Sequence, residues 1–238
     1  MKTNINKILL LLLTVLMFNA CDTGCREGSG KQITENRNLT DFEKIEISGA
    51  IKLEIIQDSS LGMQITADDN ILPELKTTVS GGVLEIGLEG NYCNTGEIRI
   101  VLHSKSLKAI AVSGASEIIS NTLMSSNEFE LALSGSSEIS LILNTGNLVT
   151  KSSGSSTINL VGQARKHDVD MSGSTELNAF DFVVNEYILE SSGASNCRIN
   201  ALTSLITNTS GTSEIVYKGN PKYIKSDKSG VATIEKFQ

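Results

Sequence analysis

The order of polar and apolar residues in the second half of the chain follows one short pattern, which recurs seven times between Ser113 and Ile234. Each copy begins with a Ser-Gly pair, and an apolar residue stands four positions after the glycine. These apolar residues are Ile118, Ile139, Ile158, Leu177, Cys197, Ile215 and Ile234. Small, polar and apolar residues alternate with a period of two, which predicts a β-strand after each glycine.

The spacing of the copies predicts how these strands are arranged. The glycines are Gly114, Gly135, Gly154, Gly173, Gly193, Gly211 and Gly230, so the pattern returns about every 19 residues. A fixed period of this length is typical of one supersecondary unit stacked on copies of itself. We therefore expect an all-β fold in which residues 113–238 form about seven regular rungs of a parallel β-solenoid.

Two interpretations of the Ser-Gly columns are open, a functional one and a geometric one. A row of serines beside glycines could act as nucleophiles or cradle a phosphate. Alternatively, glycine permits a positive φ or a close backbone approach at a corner, and stacked hydroxyls pass hydrogen bonds from rung to rung. A feature repeated in every rung is usually scaffold, so we favour the corner interpretation.

Residues 38–112 carry a looser form of the same pattern. Ser48-Gly49 and Ser80-Gly81 are followed by apolar residues, but the gaps to the next glycine of the series are 32 and 33 residues. Terminal units of a solenoid differ from the others because they close the open end of the stack. We predict an irregular N-terminal half of one continuous domain that covers residues 38–238.

The last rung also departs from the pattern. Ser226 and Lys228 stand before Gly230 where earlier rungs have apolar residues. This rung is therefore expected to be solvated and to form the C-terminal cap. The end rungs are also the candidate contact for a homodimer, which the sequence leaves undecided.

The first 20 residues have the features of an export signal. Lys2 and Lys7 precede an apolar stretch at residues 8–18, which is too short for a resident membrane helix. The segment ends in Phe-Asn-Ala-Cys and resembles a bacterial lipobox, which predicts cleavage before Cys21 and acylation of its thiol. We expect a lipid-anchored protein of the bacterial cell envelope, at the outer membrane, with residues 21–37 as a flexible tether; the surface and periplasmic faces both remain open.

Composition and cysteine content narrow the classes of partner. The net charge of −7 argues against nucleic acid, and the aromatic content of 4 % without tryptophan weakens an aromatic carbohydrate platform. Cys197 occupies an apolar position of the repeat and is expected in the core. Cys25 and Cys93 lie in loop-like sequence, and export permits a disulfide between them, although the sequence leaves their pairing open.

One column of charged residues is a candidate binding stripe. Three positions after the glycine, four of the seven copies carry a carboxylate: Glu117, Glu138, Glu176 and Glu214. Such a stripe could bind cations or a basic partner. Thr157 and Asn196 interrupt it, which relieves repulsion between like charges on adjacent strands, so a solvated face is the alternative that we favour.

Catalytic chemistry has little support in the sequence. Polysaccharide lyases and hydrolases need clustered carboxylates and bases, and one small cluster qualifies: Asp168, Asp170 and Asp181, with Arg165, Lys166 and His167 nearby. The serines lack a nucleophile-elbow motif, and His103 has no metal-ligand neighbours at a suitable spacing. We predict no catalytic, cofactor or metal site.

The segments REGSGKQITENRNLTDFEKIEISGAIKLEI, NILPELKTTVSGGVLEIGL and LKAIAVSGASEI, followed by the repeats, resemble the head GIN domain family over about residues 27–236. This is a group of adhesin-like lipoproteins of Bacteroidetes. The resemblance implies a right-handed, β-helix-like fold at the cell surface or in the periplasm, and it implies no catalytic residue. The expected function is therefore that of a non-enzymatic lipoprotein that binds a glycan or protein ligand as an adhesin. The alternatives are a β-helix enzyme acting on polysaccharide and an envelope structural protein.

Overall fold

The computed structural model describes residues 24–238, so the predicted signal segment and the predicted acylation site Cys21 lie outside the described residues. The described chain is all-β, with a single 3-10 turn at Leu72–Glu74. Within residues 24–238, no helix has the length and hydropathy needed to cross a membrane. The strands are β1 (Arg26–Glu27), β2 (Gln32–Arg37), β3 (Lys44–Gly49), β4 (Ile51–Gln57), β5 (Gly62–Asp68), β6 (Leu75–Ser80), β7 (Val83–Leu88), β8 (Tyr92–Cys93), β9 (Ile98–Ser104), β10 (Ala109–Gly114), β11 (Glu117–Ile119), β12 (Met124–Gly135), β13 (Glu138–Lys218) and β14 (Tyr223–Lys236).

Most strands join one large mixed sheet, in which the repeated pattern sets a parallel register. β10 lies between β3 and β12, and β12 pairs with β13. Gly114 lies opposite both Gly49 and Gly135, and Gly135 lies opposite Gly154. Equivalent positions of the repeat therefore face one another across the strands.

The 81-residue element β13 brings successive copies of the repeat side by side. The Asn159 amide donates to the Ser140 hydroxyl at 3.1 Å, and the Asn178 amide donates to the Asn159 side-chain oxygen at 3.1 Å. Each bond joins residues 19 positions apart. The contacts inside β13 thus repeat the spacing that the sequence shows.

The core is one continuous cluster of apolar side chains that extends from Phe42 to Ile215. The apolar residues four positions after each glycine face this cluster, and all from Ile118 to Ile215 are fully buried. Ile234, the last of the series, is only partly buried. The final rung is solvated, as its polar sequence predicts.

The Ser-Gly columns build a corner of the fold. Gly154 has a φ of +118°, and a Cβ at this position would lie 2.4 Å from the carbonyl oxygen of Gly135. Two positions after the glycines, the buried Ser116 donates to the Gly49 carbonyl at 2.9 Å, and Ser137 donates to the Gly114 carbonyl at 3.3 Å. The close approach of neighbouring backbones therefore explains why this position is glycine. The hydrogen bond to a backbone carbonyl explains why the inward residue two positions later carries a hydroxyl.

The N-terminal strands are stacked in an order that differs from their order in the chain. β3 lies between β7 and β10, and β4 lies between β9 and β11, so the later strands β7 and β9 are at the outer end. Antiparallel strands then cover this end: β6 pairs with β7, while β5 pairs with β9 and also with β2. The irregular N-terminal strands therefore form the outer part of the sheet beyond β7 and β9.

Within residues 24–37, the described part of the predicted 21–37 tether, the structure corrects the prediction of a flexible segment. Residues 32–37 form β2, which pairs with β5 along its whole length. The Arg37 guanidinium holds this strand in place by donating to the Leu75 carbonyl at 2.7 Å and to the Leu72 carbonyl at 3.0 Å. The polar sequence of β2 reflects a strand whose side chains are almost all exposed.

The first described residues are also fastened to the body. Cys25 and Cys93, whose pairing the sequence left open, are joined by a disulfide with a Cα–Cα distance of 5.7 Å. The adjoining strands β1 and β8 pair in parallel. Close behind them, the buried Asp68 carboxylate accepts a hydrogen bond from the Gly96 backbone N–H at 3.0 Å.

Candidate binding faces

A shallow groove crosses the outer face of the strands that precede the glycine corner. It has a volume of about 420 Å³. We call it the alanine groove, after the side chains that stand three positions before successive glycines: Glu46, Ala111, Ala132, Lys151 and Asp170. Strand register places Ala111 opposite Glu46, Ala132 opposite Ala111, and Lys151 opposite Ala132.

Differences in side-chain length create the groove. Two methyl groups, those of Ala111 and Ala132, lie between the longer side chains of Glu46 and Lys151. Lys151 is ion-paired with Glu130 at 3.0 Å and remains 60 % exposed. The groove therefore offers a small apolar floor with an acidic side chain on one side and a basic one on the other.

Serine hydroxyls line one edge of the alanine groove. Ser113 donates to the Ile47 carbonyl at 3.3 Å, and this hydroxyl retains its acceptor lone pairs for a ligand. The adjacent Ser134 and Ser153 line the same edge. Such an edge suits a polar chain that forms hydrogen bonds along its length.

The carboxylates of the groove are poorly placed for glycoside hydrolysis. Four strand-to-strand steps separate Glu46 from Asp170, which amounts to about 19 Å. Retaining and inverting glycosidases place their two carboxylates within about 10 Å of each other. Glu46 and Asp170 are therefore too far apart to act together as a glycosidase pair.

Sequence reasoning missed the alanine groove, although a signal was present. The position three before each glycine reads Glu, Ala, Ala, Lys and Asp in copies that pair laterally, starting with Glu46. The two adjacent alanines become visible as a hollow only after β3 is placed beside β10, because Glu46 and Ala111 are 65 positions apart in the chain.

The predicted glutamate stripe is partly neutralised by the protein's own basic residues. Glu117 forms an ion pair with Lys52 at 3.0 Å, and Glu176 forms one with Arg198 at 3.6 Å. Glu138, opposite Glu117 in register, and Glu214 are exposed, and neither has an ion-pair partner within residues 24–238. The stripe stays a prediction, with Glu138 and Glu214 as its available carboxylates.

The residues of the predicted catalytic cluster face in different directions. Lys166 and Asp168 point outward and form an ion pair at 2.8 Å, and Asp170 lies in the alanine groove. Asp181 is exposed beside Phe180, in a different surface depression. His167 points into the core and is fully buried, so strand alternation separates it from these carboxylates.

His167 belongs to a buried polar chain that spans several copies of the repeat. Its Nε2 atom lies 2.8 Å from the Thr150 hydroxyl, and its Nδ1 atom lies 2.8 Å from the Tyr187 hydroxyl. Burial lowers the pKa of His167 to about 3, which keeps the imidazole neutral. Both ring nitrogens are satisfied, and the group has a structural role in the core.

The second histidine, His103, is only partly buried. The Nδ1 atom of His103 lies 2.7 Å from the Asp58 carboxylate. Hydrogen bonds from Ser60 and then from His103 lower the pKa of Asp58 to about 2. Among the described residues, no group of three or more His, Cys, Asp or Glu side chains is placed to hold a metal ion.

The chain matches a family model over residues 41–221, described as "Putative auto-transporter adhesin, head GIN domain". The chain belongs to this family. The resemblance seen in the sequence is thereby confirmed. Members of the head GIN domain family are named as adhesins, which indicates a protein of the cell surface or envelope.

Solved structures share the fold of this head GIN domain. A "putative adhesin" from Bacteroides fragilis is 23 % identical, with a TM-score of 0.84 over 89 % of this chain and 100 % of that one. A "putative adhesin" from Parabacteroides merdae is 24 % identical, with a TM-score of 0.69 over 90 % of this chain and 99 % of that one. A "putative lipid binding protein" from Parabacteroides distasonis is 22 % identical, with a TM-score of 0.71 over 90 % of this chain and 99 % of that one. Among curated proteins, none matches the chain.

Proposed function

We propose that this head GIN domain protein is a non-enzymatic, lipid-anchored adhesin of the bacterial outer membrane, and that it binds a polar chain in the alanine groove. The observation that carries this proposal is the groove itself, where two adjacent alanines lie between Glu46 and Lys151 along a row of serine hydroxyls. The name of the family supports the same class of function.

The architecture in this proposal is a right-handed, parallel β-helix-like solenoid. The parallel register of β3, β10, β12 and β13 supports it, and so do the contacts between residues 19 positions apart within β13. The handedness comes from the family resemblance. A solenoid exposes long, regular faces, which are suited to extended ligands.

A glycan or an extended peptide fits the chemistry of the alanine groove. The serine edge can donate to and accept from ligand hydroxyls or amides, and Glu46, Lys151 and Asp170 supply charged contacts. The alanine floor gives a small apolar contact, such as the face of a sugar ring requires. Affinity at one such shallow site is modest, and several anchored copies on one surface raise it by multivalency.

The experiment is a binding screen of residues 24–238 against glycans and extracellular-matrix proteins, with release of reducing ends measured on the same glycans. The variant Ala132→Tyr fills the groove and is expected to weaken saturable binding at least ~10-fold, a loss of about 1.4 kcal/mol. The matched control Ala194→Tyr places the same side chain on the face after the corner and should bind as the wild type does.

Three results would contradict the proposal. Equal loss of binding in Ala132→Tyr and Ala194→Tyr would remove the groove as the site. Release of sugar ends that disappears in Asp168→Ala or Asp170→Ala would identify an enzyme. Absence of binding to every glycan and matrix protein would favour an envelope structural role.

Lipid anchoring is tested separately from ligand binding. When the full chain is expressed in a bacterium fed radioactive fatty acid, it is expected to be labelled and to sediment with membranes. Cys21→Ser should be unlabelled and released from the membrane fraction, because the thiol is the acylation site. A labelled Cys21→Ser chain would refute anchoring at this residue.

A further inference from the structure

The large sheet has edges of different length. At the N-terminal end, antiparallel strands pair with β7 and β9, and the outer edges there belong to the six-residue strands β2 and β6. At the other end, β14 pairs with β13 over its entire length, and no strand of residues 24–238 lies on its outer edge. An unpaired edge of 14 residues is a template for another strand.

The backbone groups available on this edge belong to alternate residues. Phe237, directly after β14, donates its N–H to the Tyr217 carbonyl of the neighbouring copy at 2.9 Å. Glu130, which like Lys225 stands five positions before its glycine, likewise donates its N–H to the Lys108 carbonyl of the preceding copy at 2.8 Å. In a parallel ladder, every second residue directs both its N–H and its C=O to the same neighbour. The odd-numbered residues therefore bond to β13, and Ile224, Ser226 and Lys228 present their backbone groups to the open edge.

Apolar exposure is concentrated at the same edge. Val231 is 73 % exposed, Tyr223 54 % and Ile224 47 %, although Ile224 stands directly beside the fully buried Leu205. The side chains of Lys225 and Asp227 form an exposed ion pair at 3.3 Å. The edge thus combines open hydrogen-bonding groups, apolar surface and two opposite charges on either side of Ser226.

We propose that β14 binds β14 of a second copy of this chain, antiparallel, about a two-fold axis through Ser226. In this register Lys225 lies opposite Asp227 of the second copy, and Tyr223 lies opposite Ser229, with the same pairs repeated by symmetry. Ile224 lies opposite Lys228 in the same register, and both belong to the open set, so this pair exchanges two backbone hydrogen bonds. Lys225 and Asp227 then form a non-hydrogen-bonded pair, the arrangement in which opposing side chains lie closer together.

Charge selects this register over its neighbours. Moving the axis to residue 225 or 227 keeps the open residues opposite one another, but it places Lys225 against Lys225 or Asp227 against Asp227. Opposite charges directly across an antiparallel pair are favourable, and like charges are unfavourable. A second copy is therefore the occupant whose charge pattern complements this edge.

The association closes at two chains. A two-fold pairing uses the same surface on both partners, so the β14 edge of each chain is fully used once two chains have paired. The inference does not depend on the proposed ligand or on the lipid anchor, because neither enters the geometry of β14.

Sedimentation of residues 24–238, which contain every described strand and the disulfide, tests the pairing. The wild type is expected to dimerise at micromolar concentration. Asp227→Lys places lysine opposite lysine twice, and Lys225→Asp places aspartate opposite aspartate twice. Each variant should dimerise at least ~10-fold more weakly. At a concentration at which the wild type is monomeric, the melting temperatures should be the same, because both side chains are exposed.

The decisive measurement combines the two variants. An equimolar mixture of Lys225→Asp and Asp227→Lys restores opposite charges at every position and should form a heterodimer. The double variant with both changes should dimerise as the wild type does. Lys44→Asp, the same charge change on the interior strand β3, is the control and should leave dimerisation unchanged. A monomeric wild type, or single variants that dimerise normally, or a mixture that stays monomeric, would overturn the proposal.

Discussion

The N-terminal region, residues 24–112, and the repeat stack, residues 113–238, belong to the same sheet but are stabilised in different ways. In the stack, one contact is repeated: a glycine approaches the glycine before it, and an apolar side chain packs on its equivalent. In the N-terminal region, contacts occur once each, such as the disulfide, the Arg37 hydrogen bonds and the buried Asp68 carboxylate.

This difference shows what an end of a repeating structure requires. Inside the stack, each copy satisfies the backbone and apolar surface of its neighbours, so a short sequence pattern is sufficient. At the end no further copy follows, and β2, β5 and β6 must reverse direction to cover the exposed edge. Unique contacts then replace repeated ones.

The largest expected effect on stability distinguishes two reasons for glycine at the corner, namely a positive φ and a close approach to the neighbouring backbone. Gly49 and Gly154 have similar φ values, +111° and +118°, but a Cβ on Gly49 meets nothing within 4 Å, whereas one on Gly154 lies 2.4 Å from the Gly135 carbonyl oxygen. Gly49→Ala should cost about 1–2 kcal/mol of unfolding free energy from backbone strain. Gly154→Ala should cost at least about 3 kcal/mol because overpacking is added.

Urea denaturation of the two glycine variants measures this difference. Equal destabilisation would mean that backbone strain alone accounts for the column, and that the close approach between neighbouring copies has no energetic weight. A larger loss in Gly49→Ala would contradict the description of the corner altogether.

Removal of the disulfide tests the N-terminal region. The variant with Cys25→Ser and Cys93→Ser opens a loop with a sequence separation of 68 residues and should lose about 2–4 kcal/mol of unfolding free energy. Hydrogen exchange is expected to accelerate in β1, β2 and β8 and to stay slow in β13. Uniform acceleration throughout the chain would show that the two regions unfold as one unit.

A pH effect arises from the buried His167 of the stack. Its pKa in the folded protein is about 3, below the ordinary value of 6.5, so unfolding takes up a proton at intermediate pH. Stability should therefore fall as the pH decreases from 6.5 towards 3, by about 1.4 kcal/mol per pH unit. His167→Gln removes the titration and should show a shallower loss between pH 7 and pH 4.5.

Denaturation curves of the wild type and of His167→Gln, measured over the same pH range, isolate the contribution of His167 to the pH dependence of stability. The two proteins share all other titrating groups. Identical slopes in the two proteins would mean that His167 becomes protonated without unfolding, which would contradict its complete burial.

The smallest expected effect concerns the hydroxyls at the corner. Ser137→Ala removes a hydrogen bond to the Gly114 carbonyl and should cost about 1 kcal/mol. The adjacent Ser136 is exposed, and Ser136→Ala should change the unfolding free energy by less than about 0.5 kcal/mol. Equal effects on the melting temperature would show that the inward hydroxyl does not stabilise the corner.

The regular part of the fold was predictable because its register is written in the sequence. Once the Ser-Gly pairs are aligned, the buried apolar positions from Ile118 to Ile215 and the partly buried Ile234 follow from alternation alone. The family could be recognised from the same segments, because the resemblance depends on their order along the chain.

The end of the stack and the candidate site were less predictable. β2 has exposed side chains on both faces, so its sequence shows no alternation and suggested a tether. The insertion of β3 between β7 and β10 cannot be read from gaps of 32 and 33 residues. The alanine groove depends on that insertion, because Glu46 reaches Ala111 only through it.

The position of the disulfide sets the distance between the body and a membrane. With Cys21 acylated as proposed, only residues 22–24 separate the lipid from Cys25, which spans about 14 Å when extended. The covered end of the stack would then rest close to the bilayer, and the β14 edge would point away from it.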